Sequence, residues 1–504
     1  MNMPSTFEQL CEHARETALI NSVLELLQWD ERTLMPPAAG AYRADQITYF
    51  AGKVHAHRTD ARVGQWLAEL SDSDLAHDPH NDAGTTIRMM KREFDKLTKV
   101  PQALVEAISR ASVLGQQTWV EARKNDDFAS FAGVLGEIIE LKREQAEAVG
   151  YVKSPYDALL DDYEPGEATA NVARVLEKLR QELVTLVATI ADSSRRPNLD
   201  ILRREFATVD QQAFGSHAAA AIGFDFRRGR LDVTDHPFCA EMGPDDCRIT
   251  TRYDDRFFSM AFFGILHEAG HGLYDQGLRS NQYGLPPGNY ISLGIHESQS
   301  RMWENLVGRS KAFWRHFFPQ AQKAFPQSLQ DVELDDFFFA INDVRPSLIR
   351  IESDEATYNL HIIIRFELEQ ALINGELTVT DLPGAWREKY QHYLGIEPPN
   401  DADGVLQDIH WGAALIGYFP TYSLGNLYAA QFYAAADEEL GGLDVQFSQG
   451  EFQPLLDWLR DRIHEPGQCF SANDLVESVT GKPLGHEALL SQLRSKYAPL
   501  YGLE

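Results

Sequence analysis

Two histidines and a glutamate in one short apolar stretch have the spacing of a catalytic zinc site. The stretch from residue 261 to 277 reads AFFGILHEAGHGLYDQG and contains His267, Glu268 and His271 in the H-E-x-x-H pattern. On a helix, residues four apart share a face, so both imidazoles can bind one zinc ion. Zinc lowers the pKa of a coordinated water to about 7, and Glu268 can take its proton as the water attacks a carbonyl.

A second stretch offers the third protein ligand. It follows the turn-rich NQYGLPPGNY, reads ISLGIHESQSRMWENLVGRS and contains Glu297, thirty residues beyond His267. Two histidines and a glutamate with an open fourth position are the usual catalytic arrangement. His296 is the competing ligand. Asp275, one helical turn beyond His271, could orient a ligand histidine or be a plain surface aspartate.

The zinc stretch must lie on a buried helix, because the turns before His267 are apolar and unpaired buried histidines would be costly. An ordinary helix with two satisfied histidines is the alternative. Upstream, GRLDVTDHPF and DDCRITTRYD alternate β-branched and polar residues around EMGPDD, which predicts two short strands. A strand edge there could bind an extended peptide. Asp246, Arg248 and Thr250 share one strand face, which lines a cleft or is the solvated side of an edge strand.

The rest of the chain is predicted to be helical. Apolar residues at helical spacing predict helices over 7–30, over much of 42–149 and over 167–192. Pro346 marks a break in a later helical stretch. No linker or repeat interrupts the pattern. We therefore expect residues 1–504 to form a single large, mainly α domain with a small β-sheet beside the zinc helix.

Composition excludes several classes of partner. Lys and Arg number 46 against 75 Asp and Glu, a formal net charge of −29, which argues against nucleic acid and anionic membranes as partners. No export signal and no run of 18 apolar residues is visible. The four cysteines form no C-x-x-C pair and suit a reducing cytoplasm. Cys239 and Cys247 flank a predicted turn and could approach one another, although we favour small buried residues.

Many motifs along the chain occur together and in order. They are LLQWDERTLMP, YRADQ, PYDALLDDYEPG, HPF at 236–238, D-x-R-x-T at 246–250, HEAGH, HESQ at 296–299, IRIESDEATYNLHIIIR, GVLQDIHW and GYFPTYSLG. With them the chain resembles the carboxypeptidase Taq family of zinc metallopeptidases over nearly its whole length. One position departs from the family pattern, because Ser353 replaces the alanine of the I-R-x-x-A-D element.

The resemblance implies a helical fold similar to that of neurolysin and the angiotensin-converting enzymes, with two lobes around a deep cleft. It also implies a homodimer that removes single residues from peptides with a free C-terminus. It implies one Zn²⁺ per chain, for which we expect Co²⁺ to substitute. It matches His267, His271 and Glu297 to the zinc ligands and Glu268 to the general base. It assigns recognition of the substrate's terminal carboxylate to Arg350. His236 and Arg248 belong to the motifs that shape the cleft, and His410 is the histidine of the GxxQDxHW motif.

Chemistry adds expectations and leaves alternatives open. A tetrahedral intermediate needs neutral donors aimed at its oxyanion, and we choose His410 and Tyr422, with Tyr418 competing. Arg248 could contact substrate or merely pair with Asp246. For Arg350 the alternative to substrate binding is a salt-bridge network with the acidic residues Glu352, Asp354 and Glu355.

Two other functions are possible for the same residues. The first is a zinc oligopeptidase or dipeptidase that cuts further in. The second is a non-catalytic peptide-binding protein with a structural zinc, which the three-ligand open site argues against.

Overall fold

Helices make up most of the protein, which confirms the predicted mainly α class. The computed structural model describes residues 4–503. The helices there are α1 (Thr6–Thr33), α2 (Gly40–Arg58), α3 (Ala61–Ser71), α4 (Asp82–Lys99), α5 (Gln102–Asn125), α6 (Phe128–Val149), α7 (Pro155–Leu160), α8 (Thr169–Asp192), α9 (Thr208–Ala221), α10 (Phe258–Gly277), α11 (Leu293–Arg301), α12 (Lys311–Ala324), α13 (Pro326–Leu329), α14 (Leu334–Ile341), α15 (Glu355–Ile373), α16 (Leu382–Leu394), α17 (Pro420–Leu440), α18 (Leu443–Ser448), α19 (Gln453–Leu459), α20 (Ala472–Thr480) and α21 (Glu487–Tyr501). No helix among these residues is both long and apolar enough to cross a membrane.

Helix ends follow local chemistry. Ser5 caps α1 by accepting the main-chain N–H of Glu8, while the Glu8 carboxylate accepts that of Ser5. The predicted break at Pro346 is longer than a kink, because the chain leaves the α-helix between α14 and α15. The new helix starts where the Asp354 side chain accepts the main-chain N–H groups of Ala356 and Thr357.

A three-stranded sheet precedes α10, rather than the two strands predicted. Its strands are β1 (Gly229–Val233), β2 (Cys239–Glu241) and β3 (Cys247–Thr251), in the order β1-β3-β2. Strand β1 pairs with β3 in parallel register, and β2 pairs with β3 in antiparallel register. The prediction that β3 could be an edge strand is therefore wrong, since it is hydrogen-bonded on both sides.

The helix that carries His267 and His271 is held by close backbone contacts. Phe258 and Phe262 on its first turns stack on one another and pack against Trp314 of α12. At Gly270, α10 meets α11 so closely that a Cβ would lie 2.6 Å from the Gln299 carbonyl oxygen. Gly425 of α17 likewise lets that helix approach the side chain of Glu297, where a Cβ would lie 2.5 Å from Cγ. Small residues thus set the spacing of the helices around the predicted metal ligands.

The apolar core is continuous over most of the chain. One buried cluster runs from Ala122 on α5 to Tyr501 on α21 and includes the buried face of α10. The first helices contribute separate small clusters, one of which joins Leu10 of α1 to Leu67 of α3 and Ile87 of α4. The site described next lies within the larger cluster.

Candidate active site

Two neighbouring helices bring the three predicted ligands together. His267 and His271 lie on α10 and Glu297 lies on α11, with one donor atom from each within 4.8 Å of the others. Glu297 Oε2 is 3.4 Å from His271 Nε2 and 3.8 Å from His267 Nε2. Tetrahedral coordination at zinc–ligand distances of about 2.0–2.2 Å would separate such donors by about 3.4 Å. The arrangement fits a zinc ion.

The outer nitrogen of each candidate ligand histidine has a partner. His267 Nδ1 lies 2.9 Å from Glu304 Oε2, and His271 Nδ1 lies 2.6 Å from His296 Nδ1. His296 Nε2 in turn lies 2.9 Å from Asp275 Oδ1. One tautomer set satisfies all three contacts: each Nδ1–H of the two α10 histidines donates outward, and His296 donates to Asp275. Both Nε2 lone pairs are then free for a metal. Asp275 therefore reaches His271 through His296, not directly.

Two charged residues beside Glu297 were missed in the sequence. Arg301 Nε donates to Glu297 Oε1 at 2.7 Å, which leaves Oε2 facing the histidines. Burial opposes ionisation of Glu297, but the charges of Arg301 and His267 hold its pKa well below the usual value. Glu304 lies on a π-helical turn, Met302–Val307. Since Glu297, Arg301 and Glu304 are four and seven residues apart, helical periodicity could have placed them on one face.

Glu268 is buried next to the candidate ligands. Its side chain follows His267 on α10, and the residue is 6% exposed. Burial raises its pKa to about 7, a shift that the His267 charge opposes and the Glu297 charge supports. A carboxylate whose pKa lies near neutrality can both accept a proton and return it.

Arg350 belongs to a buried charge cluster with Asp408 and Arg365. Its Nη2 and Nε donate to Asp408 Oδ1 at 2.8 and 3.0 Å, and Arg365 Nε donates to Asp408 Oδ2 at 2.7 Å. Two guanidinium groups share one carboxylate, so the cluster carries a net positive charge. Arg350 Nη1 also donates to Tyr358 Oη at 3.1 Å. The acidic residues that follow Arg350 in sequence are not its partners.

Tyr358 connects this cluster to the candidate metal ligands. The Arg301 guanidinium lies 4.5 Å from the centre of the Tyr358 ring, and the Arg350 guanidinium lies 5.9 Å from it. Only one aromatic ring therefore separates Arg350 from the arginine that holds Glu297. A peptide that spans this distance could place its terminal carboxylate near Arg350 and its last peptide bond near Glu297.

His410 and both candidate tyrosines lie beside the same cluster. His410 Nε2 is 3.3 Å from Tyr422 Oη, and its ring centre is 5.5 Å from that of Tyr418. Burial lowers the pKa of His410 to about 4, so its imidazole is neutral at pH 7. Burial raises the pKa of both tyrosines, and the Glu297 charge adds to this. Both hydroxyls are thus protonated donors near Glu297, and that of Tyr422 is the one in contact with His410.

Comparisons with known proteins identify the family of this chain. Residues 9–497 match the model of the carboxypeptidase Taq (M32) metallopeptidases. The chain belongs to this M32 family. It is 46% identical to thermostable carboxypeptidase 1 of Thermus thermophilus, with 100% of both chains covered. It is 36% identical to carboxypeptidase 1 of Bacillus subtilis, with 95% of this chain and 96% of that one covered.

Comparison with solved structures identifies the same family. A crystal structure of an M32 carboxypeptidase from Deinococcus radiodurans R1 superposes with a TM-score of 0.96 at 39% identity, covering 99% of this chain and 100% of that one. The M32 protein described here is therefore a metallocarboxypeptidase, a hydrolase of peptide bonds. The predicted family, fold class and enzyme class are confirmed.

The two remaining predicted residues of this M32 carboxypeptidase lie around the sheet. His236 is exposed in the connection between β1 and β2. Arg248 donates from Nε and Nη2 to Asp246 at 2.8 Å each and stacks 4.3 Å above the Trp29 ring. Of the two alternatives for Arg248, the structure thus shows the ion pair with Asp246. Thr250 is buried, and its hydroxyl bonds both main-chain polar groups of Phe238.

Proposed function

We propose that His267, His271 and Glu297 hold one Zn²⁺ and that Glu268 is the general base of a carboxypeptidase reaction. The observation that carries this proposal is the geometry of the three donor atoms. They lie within 4.8 Å of one another, and each ligand's other polar atom is held by a neighbour. Orienting contacts of this kind keep imidazole and carboxylate lone pairs aimed at a metal.

Each residue of the site has a part in hydrolysis. When bound, zinc supplies Lewis-acid polarisation of the scissile carbonyl and lowers the pKa of water. Glu268 accepts the proton of the attacking water and delivers it to the leaving amine. His410 and Tyr422 donate hydrogen bonds to the oxygen that becomes negative in the tetrahedral intermediate. Their neutral, protonated state suits a donor that stabilises developing negative charge.

Arg350 is proposed to bind the terminal carboxylate of the substrate. Asp408 and Tyr358 occupy three of its five N–H groups, which leaves two for a carboxylate. Arg365 keeps the cluster positively charged, because Asp408 balances the charge of only one of the two arginines. A fixed positive group separated by the Tyr358 ring from Arg301, which holds Glu297, would restrict cleavage to the last peptide bond.

Further proposals rest on the sequence and on the family. His236 and Arg248 shape the substrate site from the side of the sheet, with Arg248 held by Asp246. Specificity for the C-terminal residue is broad, and Co²⁺ substitutes for Zn²⁺. The enzyme acts in the cytoplasm, in keeping with four cysteines that are all free. It acts as a homodimer, a proposal that rests on the family resemblance alone. Residues 1–504 form one domain with the site in a cleft between two lobes, in keeping with the continuous apolar core.

A mixed peptide digest tests the proposal. Zinc-loaded enzyme should release single amino acids from C-termini, and chelated enzyme should release none, as read by mass spectrometry. Internal fragments or dipeptides would indicate an oligopeptidase or dipeptidase instead. Two variants test the ligand set: Glu297→Ala should lose zinc on dialysis, whereas His296→Ala should retain more of it. The reverse order would assign the third ligand to His296.

A further inference from the structure

A second group of potential metal ligands lies behind the candidate active site. Cys239 of β2 and Cys247 of β3 place their Sγ atoms 3.6 Å apart. Asp275 of α10 faces both sulfurs, with Oδ2 at 3.5 Å from Cys239 Sγ and 3.9 Å from Cys247 Sγ. None of these residues is assigned to hydrolysis. The turn that brings the two cysteines together connects consecutive strands of the sheet.

These separations agree with tetrahedral coordination. With zinc–sulfur distances of about 2.3 Å and zinc–oxygen distances of about 2.0–2.2 Å, two sulfurs lie about 3.8 Å apart and a sulfur lies about 3.6 Å from an oxygen. A disulfide would instead require the sulfurs to close to about 2.05 Å and would leave Asp275 Oδ2 without its two thiol contacts. The third donor is therefore the feature that distinguishes a cation site from a thiol pair.

The charge around the group also favours a cation. The Asp275 side chain is 5% exposed. Glu241 of β2 lines the same cavity as Asp275 and adds a second carboxylate there. A bound cation would stabilise the negative charge of these groups.

The nearby arginines are already paired, and a cavity gives access. A small surface cavity is lined by Cys247, Asp275 and Glu241, and also by Arg228 and Arg279. These arginines form ion pairs with other carboxylates, those of Asp245 and Asp82. The cavity volume of about 10 Å³ corresponds to about one water, which is the proposed fourth ligand.

We propose that Cys239, Cys247 and Asp275 form a second metal site for a thiophilic divalent cation such as Zn²⁺. Two thiolates and a carboxylate suit a soft d¹⁰ ion, and a water from the cavity completes the tetrahedron. Asp275 binds the ion through Oδ2 and keeps its Oδ1 contact with His296. The site can therefore fill without disturbing the partner of His271.

A cobalt titration tests this site separately from the candidate active site. Full-length protein, stripped of metal and kept reduced under nitrogen, is titrated with Co²⁺ and followed by absorption. Thiolate-to-cobalt charge transfer in the near ultraviolet reports only the cysteine site, since two histidines and a glutamate contain no thiolate. We expect about two Co²⁺ per chain in wild type, with the charge-transfer band present.

Matched variants assign the band. Cys239→Ser/Cys247→Ser should lose the band and bind about one Co²⁺. Cys469→Ser is the control: its thiol lies 4.0 Å from Asp82 Oδ1 without a second sulfur, so the variant should keep the band. Glu297→Ala should also keep the band while losing the other ion. Failure of the proposed catalytic site would therefore appear as a normal band with unchanged binding in Glu297→Ala.

The wild-type spectrum decides the matter even if the double variant does not fold. Reduced wild-type protein without a charge-transfer band overturns the second site. A band that survives in folded Cys239→Ser/Cys247→Ser also overturns it. If the band is absent and two thiols per chain disappear on exposure to air, the pair is a disulfide rather than a metal site.

Discussion

Replacing Arg350 with methionine removes a guanidinium from the buried cluster while keeping an unbranched apolar side chain. Asp408 Oδ2 keeps its contacts with Arg365, at 2.7 Å from Nε and 2.6 Å from Nη2, whereas Oδ1 loses the two donors that Arg350 supplied. The net charge of the cluster falls from positive to zero. A matched substitution at Arg365 therefore separates the loss of the substrate contact from disturbance of the cluster.

The size of the effect follows from what the arginine is proposed to do. Truncating one partner of a buried, hydrogen-bonded charge pair costs about 2–5 kcal/mol. Since every 1.4 kcal/mol corresponds to a factor of ten, kcat/KM on peptides with a free C-terminus should fall by roughly 30-fold or more. A peptide with an amidated C-terminus lacks the carboxylate, so wild type should cleave it poorly and the variant should differ little from wild type on it.

The assay compares each enzyme on both peptides. Arg365→Met is the matched control, because it removes the other partner of Asp408 from a position that is 0% exposed and cannot touch substrate. Arg365→Met should change kcat/KM by the same factor on free and amidated peptides, whereas Arg350→Met should affect the free peptide selectively. Equal losses for Arg350→Met would mean that this residue only holds the site together. Arg248 would then be the next candidate for the carboxylate.

Four further substitutions give three predictions about residues around the site. Glu304→Ala should weaken zinc binding by about 10–100-fold because it releases His267 Nδ1; unchanged affinity in competition with a chromophoric chelator would contradict this. Gly270→Ala should lower the free energy of unfolding by about 1–3 kcal/mol, because its Cβ would lie 2.6 Å from a main-chain oxygen of α11. On the same helix, the added Cβ of Gly264→Ala would lie 3.5 Å from its nearest atom, so this variant should be neutral or more stable by up to about 1 kcal/mol in urea unfolding. Equal destabilisation by Gly270→Ala and Gly264→Ala would refute the packing argument. Burial raises the pKa of Glu164 to about 8, so the folded protein holds this proton more tightly than the unfolded chain. Wild type should therefore lose stability relative to Glu164→Gln as pH rises from about 5 to about 8, by about 1.4 kcal/mol per unit, and parallel curves would contradict it.

The parts of the site that follow from local periodicity were predictable. Residues four apart on one helix fixed the relation between His267 and His271, and the chemistry of zinc required a further oxygen or nitrogen donor. The sequence favoured Glu297 but could not exclude His296, because adjacent helical residues point about 100° apart and the rotation of α11 depends on its packing. In the structure Glu297 faces the histidines and His296 faces Asp275.

Long-range pairing accounts for what the sequence did not predict. Arg350 and Asp408 are 58 residues apart, so nothing local connects them, and the acidic residues beside Arg350 suggested the wrong partners. The three-residue strand β2 is too short to show alternation. Parallel pairing of β1 with β3 makes the D-x-R-x-T strand central, which a single strand pattern cannot reveal.

Substitution of Glu268 by glutamine separates zinc binding from proton transfer at the candidate active site. The amide keeps nearly the same shape but cannot accept a proton, and loss of a general base typically lowers turnover by about 10²–10⁴-fold. Zinc content, kcat on a free C-terminal peptide and the products should be measured on the same preparation. We expect one zinc per chain, as in wild type, with turnover lowered by at least about 100-fold. Glu268→Gln that retains zinc and turns over within about tenfold of wild type would contradict the assignment.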